Sequence, residues 1–413
     1  MPQSTLSVVS GGGRARAFGL DQVIVAETEL SDVDGAAGVL TVRGHSIEEL
    51  AGKISFEAML ALLWHGELPG RKEERALARK LGLARLDAHR RLPELGAALA
   101  LADPMEALRA SIGSLPSEGE SASVPVPTRE VAQGAEERAE ERAEDEDAHA
   151  RASIRVTAAM PVFAGAWLAK RTGRAPLPPD PAAAHSKDAL RLLGAGSDAA
   201  RAAALETYLC TVADHGLNAS TFTARVVAST DSDTISAVVA AVGALKGKLH
   251  GGAPGPVLDL LDAVGSVGRA RATLEAELAA GRRIMGMGHR VYRTRDPRAA
   301  VLERATLELD AVLHAERLAL AHAVEREAEA LLAARHPERS LKANVEFFTA
   351  VLLEAIGLPR ELFTAVFAIG RVVGWCAHID EQRRTGRIIR PSSRYVGPAA
   401  DRSEARMKGP RGG

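Results

Sequence analysis

Cysteine is scarce: Cys210 and Cys376 are the only 2 in 413 residues, and they lie far apart, outside any Cys-x-x-Cys spacing. That excludes a disulfide scaffold or zinc ribbon and suits a reducing compartment, the cytoplasm. Net charge is equally slight. Lys plus Arg number 52 against 53 for Asp plus Glu, so nothing calls for nucleic acid or an anionic membrane, and any cationic site must be local. No run of 18 or more apolar residues occurs, no repeat of fixed period, and no His-Glu-x-x-His spacing. Residues 1–18 hold Arg14 and Arg16 but no apolar stretch before a cleavage site. They read as a flexible leader and not a secretory signal, with a transit peptide as the alternative.

What is present points to helices. An apolar content of 46% over this length can bury a large core and suggests two or more domains. β-Branched clusters at 23–30 and 38–42 predict a short hairpin or an irregular extended piece. Helical composition then dominates 55–65, 72–82, 93–101, 152–170 and 187–193, between Gly, Pro and Asp-Pro breaks. Residues 116–128 read as a mobile loop rich in Pro, Ser and Glu. After it, Glu136 to Asp147 predicts a charged helix whose acidic residues repel in four-residue rows. The pattern is helical again over 203–212, 232–246, 256–264, 268–280, 297–335, 341–356 and 360–382, and Gly357-Leu-Pro359 makes a stop. The basic, Gly-rich tail from Pro398 to Gly413 reads as disordered.

One stretch stands out, Ile284-Met-Gly-Met-Gly-His-Arg-Val-Tyr-Arg-Thr-Arg-Asp-Pro-Arg298. Gly286 and Gly288 allow a tight loop that presents bare N–H groups to a ligand. His289 follows directly. Asp296 is a suitable N-cap and Pro297 a suitable first helical residue, which sets Arg298 in a first turn where a carboxylate binds well. The same stretch also reads as a surface turn before a charged helix, because it lacks the third glycine of a dinucleotide fingerprint. His215 lies between Asp214 and Gly216 at a helix break, and His250 between Gly247 and the Gly251-Gly252 pair. Each could face a cleft or be a structural histidine. Glu346, alone in an apolar run, is either a base of raised pKa or a carboxylate on a helix dipole.

Taken in order, Arg43-Gly-His-Ser-Ile-Glu-Glu-Leu50, Leu63-Trp-His-Gly-Glu-Leu-Pro69, Ala213 to Arg225, Leu249-His-Gly-Gly-Ala253 and Gly288-His-Arg-Val-Tyr292 resemble the citrate synthase family. So do Phe367-Ala-Ile-Gly-Arg-Val-Val-Gly-Trp375, Ala377-His378, Glu381-Gln382, Ile389-Arg-Pro391 and Tyr395-Val-Gly397. The match spans roughly residues 19 to 398 and is shared by citrate and 2-methylcitrate synthases. The resemblance implies an all-α, two-domain homodimer with its site in the cleft between the domains. The large domain would take 19–251 and 358–398, the small domain 252–357, with 399–413 a disordered tail.

The resemblance also implies roles. His250 would stabilise the enol, His289 polarise the oxaloacetate carbonyl, and Glu346 remove the methyl proton of acetyl-CoA. His215, His289, Arg298 and Arg371 would hold oxaloacetate, with Arg390 reaching in from the partner subunit. Ile284, Met285, Gly286, Met287 and Gly288 would meet the CoA adenine, with Arg293 near its phosphates. No metal or cofactor is needed, since a positioned carboxylate and hydrogen-bond donors can enolise a thioester. The sequence departs from the family pattern at Glu346, where Asp is usual, at Pro254 and Gly255, where Asn and Glu are common, and at Asp103, where His is frequent. The rival readings are a 2-methylcitrate synthase using propionyl-CoA, one methyl group away, and a non-catalytic paralogue. A citrate-cleaving, ATP-dependent enzyme would need regions for which this chain has no room.

Overall fold

The computed structural model describes residues 23–117, 135–252, 254–289, 291–309 and 311–398, with side chains described outside 135–147, 254 and 311–315. The leader at 1–18, nearly all of the 116–128 loop and the tail at 399–413 lie outside these residues.

A small antiparallel sheet comes first, β1 (Ser31–Asp34), β2 (Val39–Val42) and β3 (His45–Ser46), in the order β1-β2-β3. Ser31 pairs with Val42 and Asp34 with Val39. The expected hairpin is therefore present with its first strand displaced: 23–30 forms no strand, and Val23 and Ile24 are exposed. Its residues are held differently, since the Glu29 N–H donates to Glu381 Oε1 at 2.9 Å, far along the chain.

Helices follow: α1 (Ile47–Leu50), α2 (Phe56–His65), α3 (Arg71–Arg90), α4 (Pro104–Ile112), α5 (Ala135–Arg171), α6 (His185–Leu192), α7 (Ala199–Val212) and α8 (Ala219–Ala228). Then come α9 (Thr234–Leu245), α10 (Pro254–Val264), α11 (Ala270–Ala279), α12 (Pro297–Glu308), α13 (Ala311–Arg335), α14 (Val345–Ala355) and α15 (Phe363–Thr385). Their starts are chemically marked. Ser46 and Glu49 form a reciprocal capping box on α1, Ser55 accepts from Ala58 N–H on α2, and Asp103 caps α4 with Pro104 in its first turn. Gly66, at φ 85°, ends α2 in the left-handed conformation that a side chain resists.

The sequence expectation fails in several places. Residues 93–101 are two short 3₁₀ turns, Leu92–Leu95 and Ala98–Ala100, because Pro93 and Gly96 interrupt the run. The α4 helix was not anticipated. Nor was α8, whose Ser, Thr and Val content favours other conformations until Asn218 caps it. The single long helix expected over 297–335 is two, since Leu309 turns extended with ψ 136° and closes α12.

Helix α15 is the axis of the core. It is buried along most of its length, and Phe363, Phe367, Trp375 and Ile379 pack there with Leu209, Val212 and Leu245. Each such side chain contributes about 1.5–3 kcal/mol on burial. Windows in Ala148–Arg171 and Arg360–Thr385 are apolar enough to cross a membrane, but they are 78% and 94% buried inside the fold, as core helices are. Although no consecutive run of 18 apolar residues exists, packed helices reach that mean hydropathy with a few polar residues included.

Candidate active site

The C-terminal end of α7 is sealed by one face of α15. Arg371 Nε donates to the Val212 carbonyl at 2.5 Å, satisfying a carbonyl that the helix end leaves open. Gly374 lets the helices touch there, because a Cβ at that position would lie 2.2 Å from Ala213 O. One turn on, His378 Nε2 faces Asp214 Oδ1 at 3.2 Å. Its Nδ1 lies 2.9 Å from Arg225 Nη1, and a guanidinium can only donate, so the His378 proton sits on Nε2 toward Asp214. Arg225 is in turn paired with Glu381 at 2.5 Å. This buried chain also holds the hairpin: Ser31 Oγ donates to Asp214 and accepts from Gly216 N–H at 2.9 Å.

Between that seal and the N-cap of α8 sits His215, buried, with Nε2 3.1 Å from the Tyr292 hydroxyl. Burial pushes its pKa well below the usual value, and Arg298, Arg371 and His289 add to the effect. His289 meets its ring edge-on, with centroids 5.5 Å apart. The His289 Nδ1 accepts from the N–H groups of Val291 at 3.0 Å and Tyr292 at 3.1 Å. Its proton is therefore on Nε2. Burial, with the nearby Arg298 charge, lowers its pKa to about 4, so the ring is neutral at pH 7 and Nε2–H is a fixed donor.

His250 shows the complementary tautomer. The loop after α9 turns it toward the first turn of α8, where Nε2 lies 2.8 Å from Ser220 Oγ and 3.4 Å from Ser220 N–H. A backbone N–H only donates, and Trp375 Nε1 donates to the same Ser220 oxygen at 3.2 Å. The His250 proton then belongs on Nδ1. Burial, followed by Arg371, pushes its pKa down to about 4.

Asp296 behaves as the sequence suggested and does more. It caps α12 by accepting from Arg298 N–H at 3.0 Å, and takes the Arg298 guanidinium in a two-pronged pair, Nε at 3.0 Å and Nη2 at 2.7 Å. It also accepts from Val345 N–H at 3.2 Å, joining the N-termini of α12 and α14. Glu346 occupies the first turn of α14 with one edge open, while Oε2 is buried without a hydrogen-bond partner. Burial raises its pKa, against the opposing charges of Arg298 and Arg371. The helix-dipole reading alone is thus insufficient: the end of α14 favours the anion, yet desolvation outweighs it. Arg371 itself is pushed down to about 10, by burial first.

Loop 284–288 needs one correction. Gly286 and Gly288 adopt φ 78° and 83° as expected, but the Gly288 N–H is not bare: it donates to Lys342 O at 2.7 Å. The reason is that residues 342–344 run alongside, with Met287 bridged to Ala343, Asn344 N–H on Gly286 O at 3.0 Å and Asn344 Nδ2 on Gly288 O at 2.9 Å. Ile284 is buried, and Met285 and Met287 pack on the core.

Arg298 thus acts on His215, His289, Glu346 and Arg371, and Arg371 acts on His215, His250 and Glu346. Arg293 stays outside, exposed, its N–H tied to Gly35 O at 2.8 Å. Arg390 is exposed on the extended segment after α15, where it lines a cavity of about 710 Å³ with Glu27, Arg225 and Arg387. Sequence reasoning gave no role to Tyr292, Ser220 or the Asp214–His378–Arg225–Glu381 chain. Most of these residues stand in the quoted motifs, but their partners lie 77 to 164 positions away.

Comparison with known proteins adds the following. A family model described as "Citrate synthase, C-terminal domain" matches residues 19–392. The chain is 49% identical to a putative citrate synthase 2 of Mycobacterium tuberculosis over 195 residues, 47% of this chain and 51% of that protein, so it spans about half of that relative. With the citrate synthase of Haloferax volcanii the identity is 36% over 92% of this chain and 95% of that protein. It is 34% with a 2-methylcitrate synthase of Mycobacterium tuberculosis, over 92% and 90%. Among solved structures, the citrate synthase of Pyrobaculum aerophilum superposes with a TM-score of 0.78 at 30% identity, covering 96% and 97% of the two chains. A ternary complex of citrate synthase from Thermoplasma acidophilum with carboxymethyl coenzyme A and oxaloacetate gives 0.76 at 25%, covering 92% and 95%.

Proposed function

The chain belongs to the citrate synthase family, and from that premise we propose that it condenses acetyl-CoA with oxaloacetate and hydrolyses the citryl-CoA formed. One observation carries the reading: two neutral histidines, protonated on opposite ring nitrogens, accompany a carboxylate with a free oxygen beside two buried arginines. Glu346 takes a proton from the thioester methyl while His250 Nδ1–H stabilises the enol oxygen. The enol carbon attacks the oxaloacetate ketone, whose oxygen His289 Nε2–H polarises and protonates. Water then cleaves the thioester, releasing citrate and CoA. His215, Arg298 and Arg371 hold the oxaloacetate carboxylates, for which guanidinium is better suited than ammonium. No metal or cofactor enters this scheme.

CoA binds along 284–288 with Arg293 near its phosphates. Because the Gly288 N–H and the Gly286 and Gly288 carbonyls are engaged, the contact with CoA falls to the other backbone groups of the loop. The domain boundaries at 252 and 357 put this loop and Glu346 on one side of a cleft and His215, His250 and Arg371 on the other. The protein works in the cytoplasm as a homodimer, and Arg390 completes the partner's site. The second reading, a 2-methylcitrate synthase, has the 34% identical relative of that name in its favour.

The deciding experiment compares thiol release from acetyl-CoA and propionyl-CoA, each with and without oxaloacetate. Release that requires oxaloacetate and is faster with acetyl-CoA supports the first reading, and faster release with propionyl-CoA supports the second. Protein inert with both would be the non-catalytic paralogue. For Arg390, Glu346→Gln and Arg390→Ala proteins are unfolded, mixed equally and refolded. Random pairing makes about half the dimers mixed, each with one intact site of two, so roughly a quarter of wild-type activity returns. Recovery near zero in confirmed mixed dimers rejects the shared site.

A further inference from the structure

The backbone that carries His215 is fastened on both sides of that residue by one hydroxyl of the hairpin. Ser31 Oγ donates to Asp214 Oδ2 and accepts from the Gly216 N–H at 2.9 Å. Chemistry sets both directions, because a carboxylate only accepts, a backbone N–H only donates, and a hydroxyl does each at once. Side chains alternate along a strand, so Val33 shares the face of β1 that holds Ser31; a Cβ on Gly216 would lie 3.6 Å from its Cγ2. The hairpin is thus seated on the His215 loop by a polar and an apolar contact.

Helix α15 grips the same segment from behind. Arg371, Gly374 and His378 follow at three- and four-residue spacing along one helical face. Arg371 holds the Val212 carbonyl, Gly374 leaves room for Ala213 O and Asp214 Oδ1, and His378 Nε2 lies 3.4 Å from Asp214 Oδ2. Burial alone would raise the Asp214 pKa, yet His378, Arg371 and Ser31 together hold it below the ordinary value. The carboxylate is therefore charged, and it acts in turn on Arg371. We propose that Ser31 and His378 are positioning residues for oxaloacetate, holding through Asp214 both the backbone at His215 and the charge that faces Arg371. This rests on reading His215 and Arg371 as oxaloacetate ligands.

The test compares oxaloacetate affinity by calorimetry with the kinetic constants in Ser31 and His378 variants. Ser31→Ala frees both fastenings, so oxaloacetate Kd and KM should rise roughly tenfold, while kcat at saturation and the acetyl-CoA KM stay within about threefold. Ser31→Thr keeps the hydroxyl and recovers most of the affinity. His378→Leu gives a loss like that of Ser31→Ala, and His378→Gln, with a donor and an acceptor as in the neutral imidazole, recovers most of it. Asp34→Ala is the control for simple attachment of the hairpin, since Asp34 Oδ1 accepts from the Ala36 and Ala37 N–H groups in its turn, at 2.9 and 2.8 Å. That variant should keep oxaloacetate Kd within about twofold. Unchanged affinity in Ser31→Ala overturns the proposal, as does an equal loss in Asp34→Ala. Ser31 is only half-buried, so its variants decide the matter even if His378→Leu does not fold. Wild-type protein that binds no oxaloacetate, or His215→Ala protein that binds it as wild type does, would remove the reading underneath. Weak binding by His215→Ala beside unchanged Ser31→Ala would remove only the positioning role.

Discussion

Two parts of the site are built in opposite ways. On the floor, Arg298 is gripped by Asp296 through two prongs, Arg371 is bound to the Val212 carbonyl, and Asp214 is held by His378 and Ser31. At the edge, His250 and His289 each engage one ring nitrogen and leave the other free, and Glu346 keeps an oxygen without a partner. On the function proposed above, the floor meets a dianion at little reorganisation cost, since its cations already have fixed orientations. The edge retains donors and an acceptor for atoms that change charge during a reaction. Stability should therefore depend on the floor and turnover on the edge.

The most severe test of that division is Glu346→Gln. It should cut kcat by about 10³-fold or more while leaving oxaloacetate affinity and Tm unchanged or Tm slightly higher, because a poorly solvated carboxylate is removed. Calorimetry showing an equal loss of binding would move Glu346 to the floor. Next in size, Arg298→Ala should weaken oxaloacetate binding by roughly 10- to 100-fold and also lower stability, by about 3–5 kcal/mol, since Asp296 is left as an unpaired buried charge. If affinity does not change, the guanidinium is only structural.

Acid should separate the two parts less sharply. His185 and His215 have pKa values well below 6.5, and His250 and His289 near 4, all mainly through burial. Unfolded chains bind these protons first, so the histidines' contribution is intact above about pH 6.5 and is lost as pH falls toward 4. The raised Glu57, Glu206 and Glu346 act in the other direction, gaining protons more readily when folded. With histidines predominating, Tm measured from pH 7 to 5 should fall; a rise would mean that the glutamates control the balance. The smallest effect is expected far from the site, where Arg360 pairs with Asp262 and Glu354 at 2.7 Å on the surface. Arg360→Gln should cost less than about 1 kcal/mol in denaturant unfolding.

Helices with strong formers and clear caps were legible in the sequence, as was the N-cap and first turn at Asp296, Pro297 and Arg298. Elements that depend on distant packing were not. Helix α8 has a weak intrinsic preference and is fixed by Asn218 and by α15 behind it, while the α12–α13 break at Leu309 carries no Gly or Pro to announce it. The same limit applies to the site. Motifs located the six polar side chains, but which ring nitrogen of His250 or His289 is free depends on backbone N–H groups whose placement only the fold defines. Ser31 looks like an ordinary strand residue until its hydroxyl is found between Asp214 and Gly216.

The hairpin places a constraint on the order of events during synthesis. Gly35 and Gly38 pack so closely on Val291 and Thr294 that a Cβ at either would lie 2.3 Å from an oxygen there, and Glu29 is bound to Glu381 across 352 positions. The first described strands therefore emerge long before the residues that hold them. At about 5–20 residues per second the arm waits roughly 20 to 70 s for α15, and until then the Glu29 N–H lacks the partner it has in the fold. A nascent chain lacking α15 cannot close its own site, whatever else it has folded.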